Sequence, residues 1–317
     1  MQTEKTKFEN LQKWEGMLAK CIRCGYCYEH CPMFKFTRWE SDAPRGKNIL
    51  AHGLLTGEVE LTREIAEKSF SCFFCKRCEA ACSSGVKITD IMLDLRRDLV
   101  KLGYKKDIGT ISTTDLSCAR CLQCVRACPH DAREFIDGEG IVVDPVKCKS
   151  CGICVEICPI EAISIPLPFG TDTETMDKRA AEYLNSSQTA KVIAFACNWS
   201  YHPDIQNSRL PESETHDKEY EILVNLCGGR LDKNLLLTPF LNQAWGVLVG
   251  VCPDGECTHD GNVAAAKRVK KMKETLETLD INPERIHLVQ IPRGDKQLFQ
   301  AEIDTFMEKI NQMGPIR

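Results

Sequence analysis

The sequence has no long hydrophobic run, no excess of one charge and no apolar leader. Its most apolar stretch, around Trp245 to Cys252, is far shorter than the roughly 20 residues that a membrane-spanning helix needs. The formal net charge is −4 and there are no basic arms, so nucleic acid is not an expected partner. The opening MQTEKTKFENLQKWEG is charged and lacks a signal-peptide core, which favours a reduced, cytoplasmic location.

Several catalytic signatures are also missing. The sequence contains no GxGxxG fingerprint, no Walker loop and no convincing Ser-His-Asp pattern. No bond-making site is visible, so the sequence leaves open whether the chain is itself an enzyme. We expect the chemistry to take place on partner proteins.

Cysteine, in contrast, is abundant, with 20 in 317 residues. The chain is much longer than small disulfide-stapled domains, and tight cysteine groups favour metal over disulfides. Sixteen of the cysteines form four copies of the motif C-x2-C-x2-C-x3-C. The copies are Cys21, Cys24, Cys27 and Cys31; Cys72, Cys75, Cys78 and Cys82; Cys118, Cys121, Cys124 and Cys128; and Cys148, Cys151, Cys154 and Cys158.

This spacing predicts [4Fe–4S] clusters. Three thiolates on a short loop reach three corners of one cube, and the fourth cysteine ligates the other cluster of a pair. Structural zinc, the competing interpretation, uses two separated C-x2-C pairs that close one tetrahedron. Four cysteines within eleven residues fit a cluster better than a zinc ion.

The first two motifs lie in a helical context. Pro44 and Gly57 mark the start and end of a helix between them, and Arg45 and Lys47 either orient a cluster or partner or simply begin that helix. After Cys82, ITDIMLDLRRDLVKLG has an apolar face at helical spacing. Residues 1–105 are therefore predicted to form one mostly helical domain.

The last two motifs are closer together. The segment between them predicts a short helix, PHDAREF, a turn at IDGEG and a strand, IVVDP, and a further strand, AISIPLP, follows Cys158. This alternation predicts a small α+β domain over residues 112–168.

Both regions resemble known families. The first two motifs, the APRGK and LLTGE segments and the helix after Cys82 resemble the C subunit of heterodisulfide reductase and related α-helical ferredoxin domains, although Ser83 replaces the usual proline. Residues 112–168 resemble a two-cluster bacterial ferredoxin. These resemblances imply crossed ligation of four [4Fe–4S] clusters. The implied sets are Cys21, Cys24, Cys27 and Cys82; Cys72, Cys75, Cys78 and Cys31; Cys118, Cys121, Cys124 and Cys158; and Cys148, Cys151, Cys154 and Cys128.

The remaining third of the chain has a different pattern. Residues 169–189 are polar and irregular, and we expect a linker with a short helical centre. The apolar runs KVIAFAC, YEILVNLC, WGVLVGVC and RIHLVQIP then alternate with helical stretches, which predicts a C-terminal α/β domain with a parallel sheet over residues 190–317. The predicted fold is thus multidomain: an α-helical ferredoxin domain, an α+β two-cluster ferredoxin domain and this α/β domain.

Four cysteines lie outside the repeated motif. Cys197, Cys227 and Cys252 end three predicted strands, and Cys257 follows on the next loop, so all four are expected at the carboxyl edge of the sheet. A helix that opens near Asn262 would direct its N-terminus at them and favour thiolates. Gly255 and Gly261 would allow the backbone to come close. His259 is either a ligand or tuning residue or, more commonly for a histidine in such a place, a loop residue. The residues alone leave open a cluster, a zinc ion or four free buried thiols.

A third resemblance bears on this choice. FACNWSYHPD, NLCGGR and GVCPDGECTHDGN resemble the delta subunit of methyl-viologen-reducing hydrogenase, over roughly residues 190–315. The resemblance implies a [2Fe–2S] cluster bound by the four cysteines. Ser200 stands where that family typically has a further cysteine.

Together these features predict a multi-cluster electron-transfer subunit. The resemblances imply that it relays single electrons between a hydrogenase, formate dehydrogenase or similar donor and a heterodisulfide-reductase-like complex with flavin-containing and catalytic subunits, including complexes with flavin-based electron bifurcation. Alternatives are the electron-transfer arm of a quinone-interacting or other low-potential reductase, an iron–sulfur redox sensor, and an enzyme that binds its own flavin.

Overall fold

The computed structural model describes residues 7–105, 107–166, 173–186, 191–200, 219–293 and 295–316. The chain divides into two compact units, unit 1 (residues 1–168) and unit 2 (residues 169–317). The two ferredoxin-like regions that the sequence predicts separately both fall within unit 1.

Unit 1 consists of short helices with two small antiparallel strand pairs. Its helices are α1 (Glu9–Gln12), α2 (Glu15–Ala19), α3 (Tyr26–Glu29), α4 (Pro32–Thr37), α5 (Pro44–Thr56), α6 (Arg63–Phe70), α7 (Arg77–Ala80), α8 (Ile88–Lys101), α9 (Gln123–Ala127) and α10 (Ile153–Glu156). Its strands are β1 (Thr113–Thr114), β2 (Arg133–Ile136), β3 (Gly140–Val143) and β4 (Ile163–Ser164), paired as β1 with β4 and β2 with β3.

The two long helices of unit 1 form where the sequence predicts them. In α5, Pro44 occupies the first turn, and Gly57 ends the helix with a φ of 79° that suits glycine. In α8, Ile91 and Leu99 are fully buried, as the apolar spacing predicts. A single core runs from these helices to Ala132 and to Cys148 of the fourth motif, so the two ferredoxin-like regions share buried surface.

One predicted element of the ferredoxin-like region is wrong. PHDAREF does not form a helix, because Arg133–Ile136 is strand β2, paired with β3 in an antiparallel hairpin. Positive φ angles at Gly138 and Gly140 make the tight turn, and the left-handed Asp131 turns the chain away from a helical path. The strands predicted at IVVDP and AISIPLP are present as β3 and as the two-residue β4.

Unit 2 contains the predicted parallel sheet. Its strands are β5 (Val192–Cys197), β6 (Tyr220–Asn225), β7 (Gly246–Val251) and β8 (Ile286–Gln290), in the order β6-β5-β7-β8, all parallel. The central strands β5 and β7 are buried at every residue, as expected for a parallel sheet covered on both faces.

Helices cover both faces of this sheet. They are α11 (Thr173–Ser186), α12 (Lys233–Leu241), α13 (Gly261–Thr278) and α14 (Lys296–Met313). Residues 173–186 lie within the predicted linker, yet α11 is 14 residues long, and its Met176 and Ala180 are fully buried in the core with α12 and α13. The apolar face of α14, which the sequence did not predict, packs on the opposite side through Phe299 and Ile303.

Candidate iron–sulfur sites

The four repeated motifs share an unusual backbone pattern. In each, the second residue after the first cysteine and the residue directly after the second cysteine have positive φ angles. These residues are Arg23, Phe74, Arg120 and Ser150, followed by Gly25, Lys76, Leu122 and Gly152. Left-handed backbone costs a residue other than glycine about 1–2 kcal/mol. Its recurrence in all four loops indicates a functional geometry, because such turns direct backbone N–H groups into a concavity that suits an anionic group.

Three of the motifs also share a backbone contact at their last cysteine. The N–H groups of Val86, Ala132 and Ala162, each four residues later, approach the Sγ atoms of Cys82, Cys128 and Cys158 at 3.3, 3.4 and 3.3 Å. Hydrogen bonds to the cysteine sulfurs are among the factors that set the reduction potential of an iron–sulfur cluster. In the first motif, α4 begins directly after the last cysteine instead.

The structure brings the last cysteine of the first motif to the second motif. Cys31 lines one cavity together with Cys72, Cys75 and Cys78, here called pocket A, and Lys47 lines it as well. Burial raises the pKa of the Cys78 thiol well above its ordinary value, and the neighbouring cysteines raise it further. Four crowded, buried thiols disfavour charge unless a cation neutralises them, which is what an iron–sulfur core provides.

The third and fourth motifs show the same exchange. Cys128 lines a cavity with Cys148, Cys151 and Cys154, here called pocket B. The Ser112 Oγ lies 3.8 Å from the Cys148 Sγ. Pocket B therefore also combines three cysteines of one motif with the last cysteine of its partner.

The other two cysteine sets lie nearer the surface. Burial raises the pKa of Cys27 to about 11, and Cys31, Cys21 and Cys24 also raise it. Cys82 packs on the same core as Cys21 and Cys27. Cys124 and Cys158 lie together in a small core with Cys154, whereas Cys121 and Cys24 are exposed. The exposed positions are the second cysteines of the third and first motifs.

Buried cations accompany these pockets, and sequence reasoning missed three of them, Arg77, Arg96 and Arg133. The Arg133 guanidinium donates to Thr114 and Ser112 at 2.8 and 3.0 Å and lies 3.8 Å from the Cys124 Sγ. Periodicity gives no signal for such residues, because a buried arginine has the same appearance in a sequence as an exposed one. Lys47, which the sequence did single out, is 3% exposed, and its charge lowers the pKa of Cys31 against the larger effect of burial.

In unit 2 the four remaining cysteines lie together. Cys197 ends β5, Cys252 directly follows β7, Cys227 follows β6, and Cys257 lies on the loop before α13. Their thiols form a hydrogen-bonded series in which Cys252 contacts both Cys197 and Cys257, and Cys257 contacts Cys227. We call this group the sheet-edge site.

Backbone N–H groups surround the sheet-edge site. Those of Trp199 and Gly228 donate to the Cys197 thiol, whose pKa falls to about 7 chiefly because Cys252 donates to it. The pKa of Cys257 lies well below its ordinary value because Cys227 and Cys252 donate to it, with further donation from the N–H of Asn262 in the first turn of α13. The pKa of Cys252, in contrast, lies far above its ordinary value because its thiol donates to Cys197 and Cys257, so the site favours negative charge on those two sulfurs.

Three residues that the sequence singled out lie within three positions of a site cysteine or approach one in space. A Cβ added to Gly261 would lie 2.3 Å from the Cys227 Sγ, so only glycine fits there. Ser200 is 1% exposed, and its Oγ has no hydrogen-bond partner among the described residues. The His259 Nδ1 lies 3.0 Å from the Thr258 Oγ1. The donor set is therefore four sulfurs with N–H support, which fits an iron–sulfur group.

These loops and sulfur groups define the class of the chain, which is an iron–sulfur protein of the electron-transfer type. Residues 17–86 and 110–159 each match a family described as a 4Fe–4S dicluster domain, so the predicted [4Fe–4S] chemistry is confirmed. Residues 192–314 match the family described as methyl-viologen-reducing hydrogenase, delta subunit. The chain belongs to this delta subunit family, as its resemblance predicted.

Curated relatives agree with this assignment. The iron-sulfur D subunit of the F420-non-reducing hydrogenase vhu of Methanopyrus kandleri is 33% identical over 135 residues, which are 41% of this chain and 98% of that protein. The A subunit of the ferredoxin:CoB-CoM heterodisulfide reductase of Methanosarcina mazei is 28% identical over 209 residues, or 57% of this chain and 26% of that protein. The glycolate oxidase iron-sulfur subunit of Escherichia coli is 34% identical over 94 residues, which are 30% of this chain and 23% of that protein.

The coverage of these relatives limits which of their properties can be assigned to this chain. The chain spans about a quarter of the length of the heterodisulfide reductase relatives. Those relatives are the A subunit of that enzyme, whereas the resemblance seen in the sequence was to its C subunit. Among the described residues, none of the helices is both long enough and apolar enough to cross a membrane.

Proposed function

We propose that this chain relays single electrons between redox partners through four [4Fe–4S] clusters and one [2Fe–2S] cluster. The observation that carries the proposal is the fourfold recurrence of the same pair of left-handed residues around four cysteine loops. The sheet-edge site adds a separate group of four sulfurs. The sixteen plus four cysteines use all twenty of the chain.

The proposed ligation is crossed within unit 1. Pocket A and pocket B supply two of the sets, since each holds the last cysteine of the partner motif. Cys21, Cys24 and Cys27 with Cys82, and Cys118, Cys121 and Cys124 with Cys158, are the proposed remaining sets. The [2Fe–2S] cluster is assigned to Cys197, Cys227, Cys252 and Cys257, with Ser200 outside the ligand set.

When bound, such clusters accept and donate one electron at a time, at potentials that charge, hydrogen bonds and burial set. The chain supplies all three influences. Backbone N–H groups donate to cysteine sulfur, Lys47 and Arg133 place positive charge beside the pockets, and most of the pocket cysteines are shielded from water. Positive charge and N–H donation favour the more negative, reduced state.

The proposed partners follow from the relatives. Those relatives are iron–sulfur or reductase subunits of hydrogenase and heterodisulfide reductase enzymes. We propose a hydrogenase, formate dehydrogenase or similar donor on one side and a flavin-containing, heterodisulfide-reductase-like subunit with its catalytic partner on the other, in the cytoplasm. The exposed Cys24 and Cys121 would place two of the clusters within reach of docking proteins.

Anaerobic iron and sulfide analysis with EPR spectroscopy tests the proposal. The reconstituted chain should contain about 18 iron atoms, four for each [4Fe–4S] cluster and two for the [2Fe–2S] cluster. A variant with serine at Cys197, Cys227, Cys252 and Cys257 should lose about two of them and one EPR signal. Zinc in place of those two irons would exclude the [2Fe–2S] cluster, and flavin released on denaturation would contradict a pure relay.

A further inference from the structure

Arg96 lies at the junction between pocket A and pocket B. It is a fully buried residue on α8, and each of its guanidinium nitrogens donates to a backbone carbonyl. The Nη2 donates to the Cys72 carbonyl at 2.8 Å and the Nη1 to the Cys148 carbonyl at 2.9 Å. The guanidinium group therefore binds the backbone of the first cysteine of the second motif, Cys72, and that of the first cysteine of the fourth motif, Cys148.

The other contacts of Arg96 tighten the same junction. The Nε donates to the Ser69 carbonyl at 3.1 Å, and the guanidinium carbon lies 4.3 Å from the centre of the Phe74 ring. Phe74 is the first of the two left-handed residues of the second motif. On the other side lies Ser150, the first left-handed residue of the fourth motif, and its side chain donates to the Thr110 carbonyl.

The residues around Arg96 leave little space for water. Gly109 is packed so closely that an added Cβ would lie 2.7 Å from the carbonyl carbon of Phe70. The Thr110 N–H and hydroxyl both donate to the Phe70 carbonyl, at 3.3 and 3.1 Å. The segment that links the two ferredoxin-like regions is therefore fixed against the start of the second motif.

The charge of Arg96 lacks a carboxylate partner among its described hydrogen bonds, which all end on carbonyl oxygens. The nearest acidic residues of α8 face elsewhere: Asp94 pairs with Lys13 and Arg97, and Asp98 accepts from the N-terminal segment. A buried cation without an anion is strongly unfavourable. The residues that Arg96 holds on either side, Cys72 and Cys148, belong to the two pockets, and anionic clusters bound there would supply the missing negative charge.

We propose that Arg96 is a positioning residue that joins pocket A to pocket B and sets the reduction potentials of the groups that both pockets hold. The inference rests on the proposed function, because it presupposes clusters in these pockets. A positive charge in a low-dielectric interior stabilises the reduced state of both neighbours.

The test is an EPR-monitored titration of the reconstituted full chain with dithionite. Arg96→Gln removes the charge and keeps a polar side chain, Arg96→Lys keeps the charge and loses the planar fork, and Arg97→Gln is the matched control. Arg97 is the next residue of the same helix, but its side chain is 48% exposed. Cys75→Ser and Cys151→Ser identify the signals of pocket A and pocket B.

In Arg96→Gln, the ratio of reduced to oxidised cluster at a fixed potential should fall about tenfold for two clusters, equal to about 59 mV for a one-electron couple. Arg96→Lys should show a smaller shift in the same two clusters, and Arg97→Gln should match the wild type. Unchanged potentials, or equal shifts of all clusters, would overturn the inference.

Two further outcomes separate the inference from the proposed function. A wild-type chain that takes up no [4Fe–4S] clusters would refute the proposed function itself, before any Arg96 variant is compared. If Arg96→Gln alone fails to take up iron, the cluster potentials of Arg96→Lys are compared with those of the wild type. A shift confined to the clusters of pockets A and B supports the inference, and no shift or a uniform one overturns it.

Discussion

Unit 1 and unit 2 assemble sulfur ligands in two different ways. In unit 1, the cysteines of each motif fall within eleven residues, and the loop itself bends around the site at residues such as Lys76 and Leu122. In unit 2, single cysteines arrive from separate strand ends, because parallel strands share one carboxyl edge. Local backbone geometry shapes the first kind of site, and sheet topology the second.

The two units share one form of electrostatic support. In both, backbone N–H groups donate to cysteine sulfur, as at Cys82 in unit 1 and from Asn262 in unit 2. Both also bury cations near their cysteines: Lys47, Arg77, Arg96 and Arg133 in unit 1, and Arg230, three residues after Cys227, in unit 2. What differs is the scaffold, so the unit 1 sites should respond most to changes in loop conformation, whereas the sheet-edge site should respond most to changes in packing.

The largest expected effect concerns crossed ligation in unit 1. Cys31→Ser should remove or convert the same EPR signal as Cys75→Ser, with the loss of up to about four irons, because both thiols line pocket A. Cys24→Ser should affect a different signal. The measurement is EPR with iron analysis on the three reconstituted variants.

The control for this experiment lies in unit 2. The signal assigned to the sheet-edge site should be unchanged in all three variants, and Ser200→Ala should leave every signal in place. If Cys31→Ser and Cys24→Ser instead abolished one common signal, the four cysteines of a single motif would bind one cluster. Crossed ligation in unit 1 would then be wrong.

A smaller loss is expected from Gly261→Ala in unit 2. The added methyl group would lie 2.3 Å from the Cys227 Sγ and 2.7 Å from the Gly229 nitrogen, so the sheet edge must move. We expect loss of about two irons and of the [2Fe–2S] signal, together with destabilisation of about 1–3 kcal/mol from overpacking. Iron analysis and thermal unfolding measure the two effects.

Gly246→Ala is the matched control for that variant. Its added methyl group would lie 2.6 Å from the Ile310 side chain, on β7 and away from the cysteines. It should destabilise unit 2 by a comparable amount while the iron content stays the same. Equal iron loss in both variants would mean that the sheet-edge site depends on overall stability rather than on the close approach at Gly261.

The features that the sequence predicted correctly are repeated spacings and alternating patterns of residues. The repeated cysteine spacing identified the four loops, and apolar runs ending in cysteine identified strands β5 and β7 and the edge at which the four cysteines gather. Helices α5 and α8 followed from end signals and an apolar face. These features are periodic, so one chain is enough to reveal them.

Features that depend on tertiary contacts were missed. Arg133 was predicted to be part of a helix in PHDAREF, but its strand pairing and its contacts with Ser112 and Cys124 override local preference. Helix α11 has few apolar residues, so Met176 and Ala180 become recognisable only against the sheet that they cover. The joining of two predicted domains through Arg96 likewise requires the fold.

The smallest expected effect tests the backbone cost of the unit 1 loops. Lys76 is exposed and left-handed, so Lys76→Gly removes unfavourable backbone geometry without losing packing. The net gain in the free energy of unfolding should be up to about 1 kcal/mol, because the added flexibility of the unfolded chain offsets part of the relief. Gly25, at the same place in the first motif, gives the opposite test: Gly25→Ala should lose about 1–2 kcal/mol.

Gly138→Ala calibrates both values, because Gly138 has a φ of 83° in a hairpin turn outside the pockets, and an added Cβ there meets open space. Its loss of about 1–2 kcal/mol measures left-handed geometry alone. Anaerobic urea unfolding followed by circular dichroism supplies the three free energies. If Lys76→Gly lowered the free energy of unfolding, the Lys76 side chain would stabilise the fold by more than its left-handed backbone costs. The contrast between strained loops in unit 1 and close packing in unit 2 would then not hold at this position.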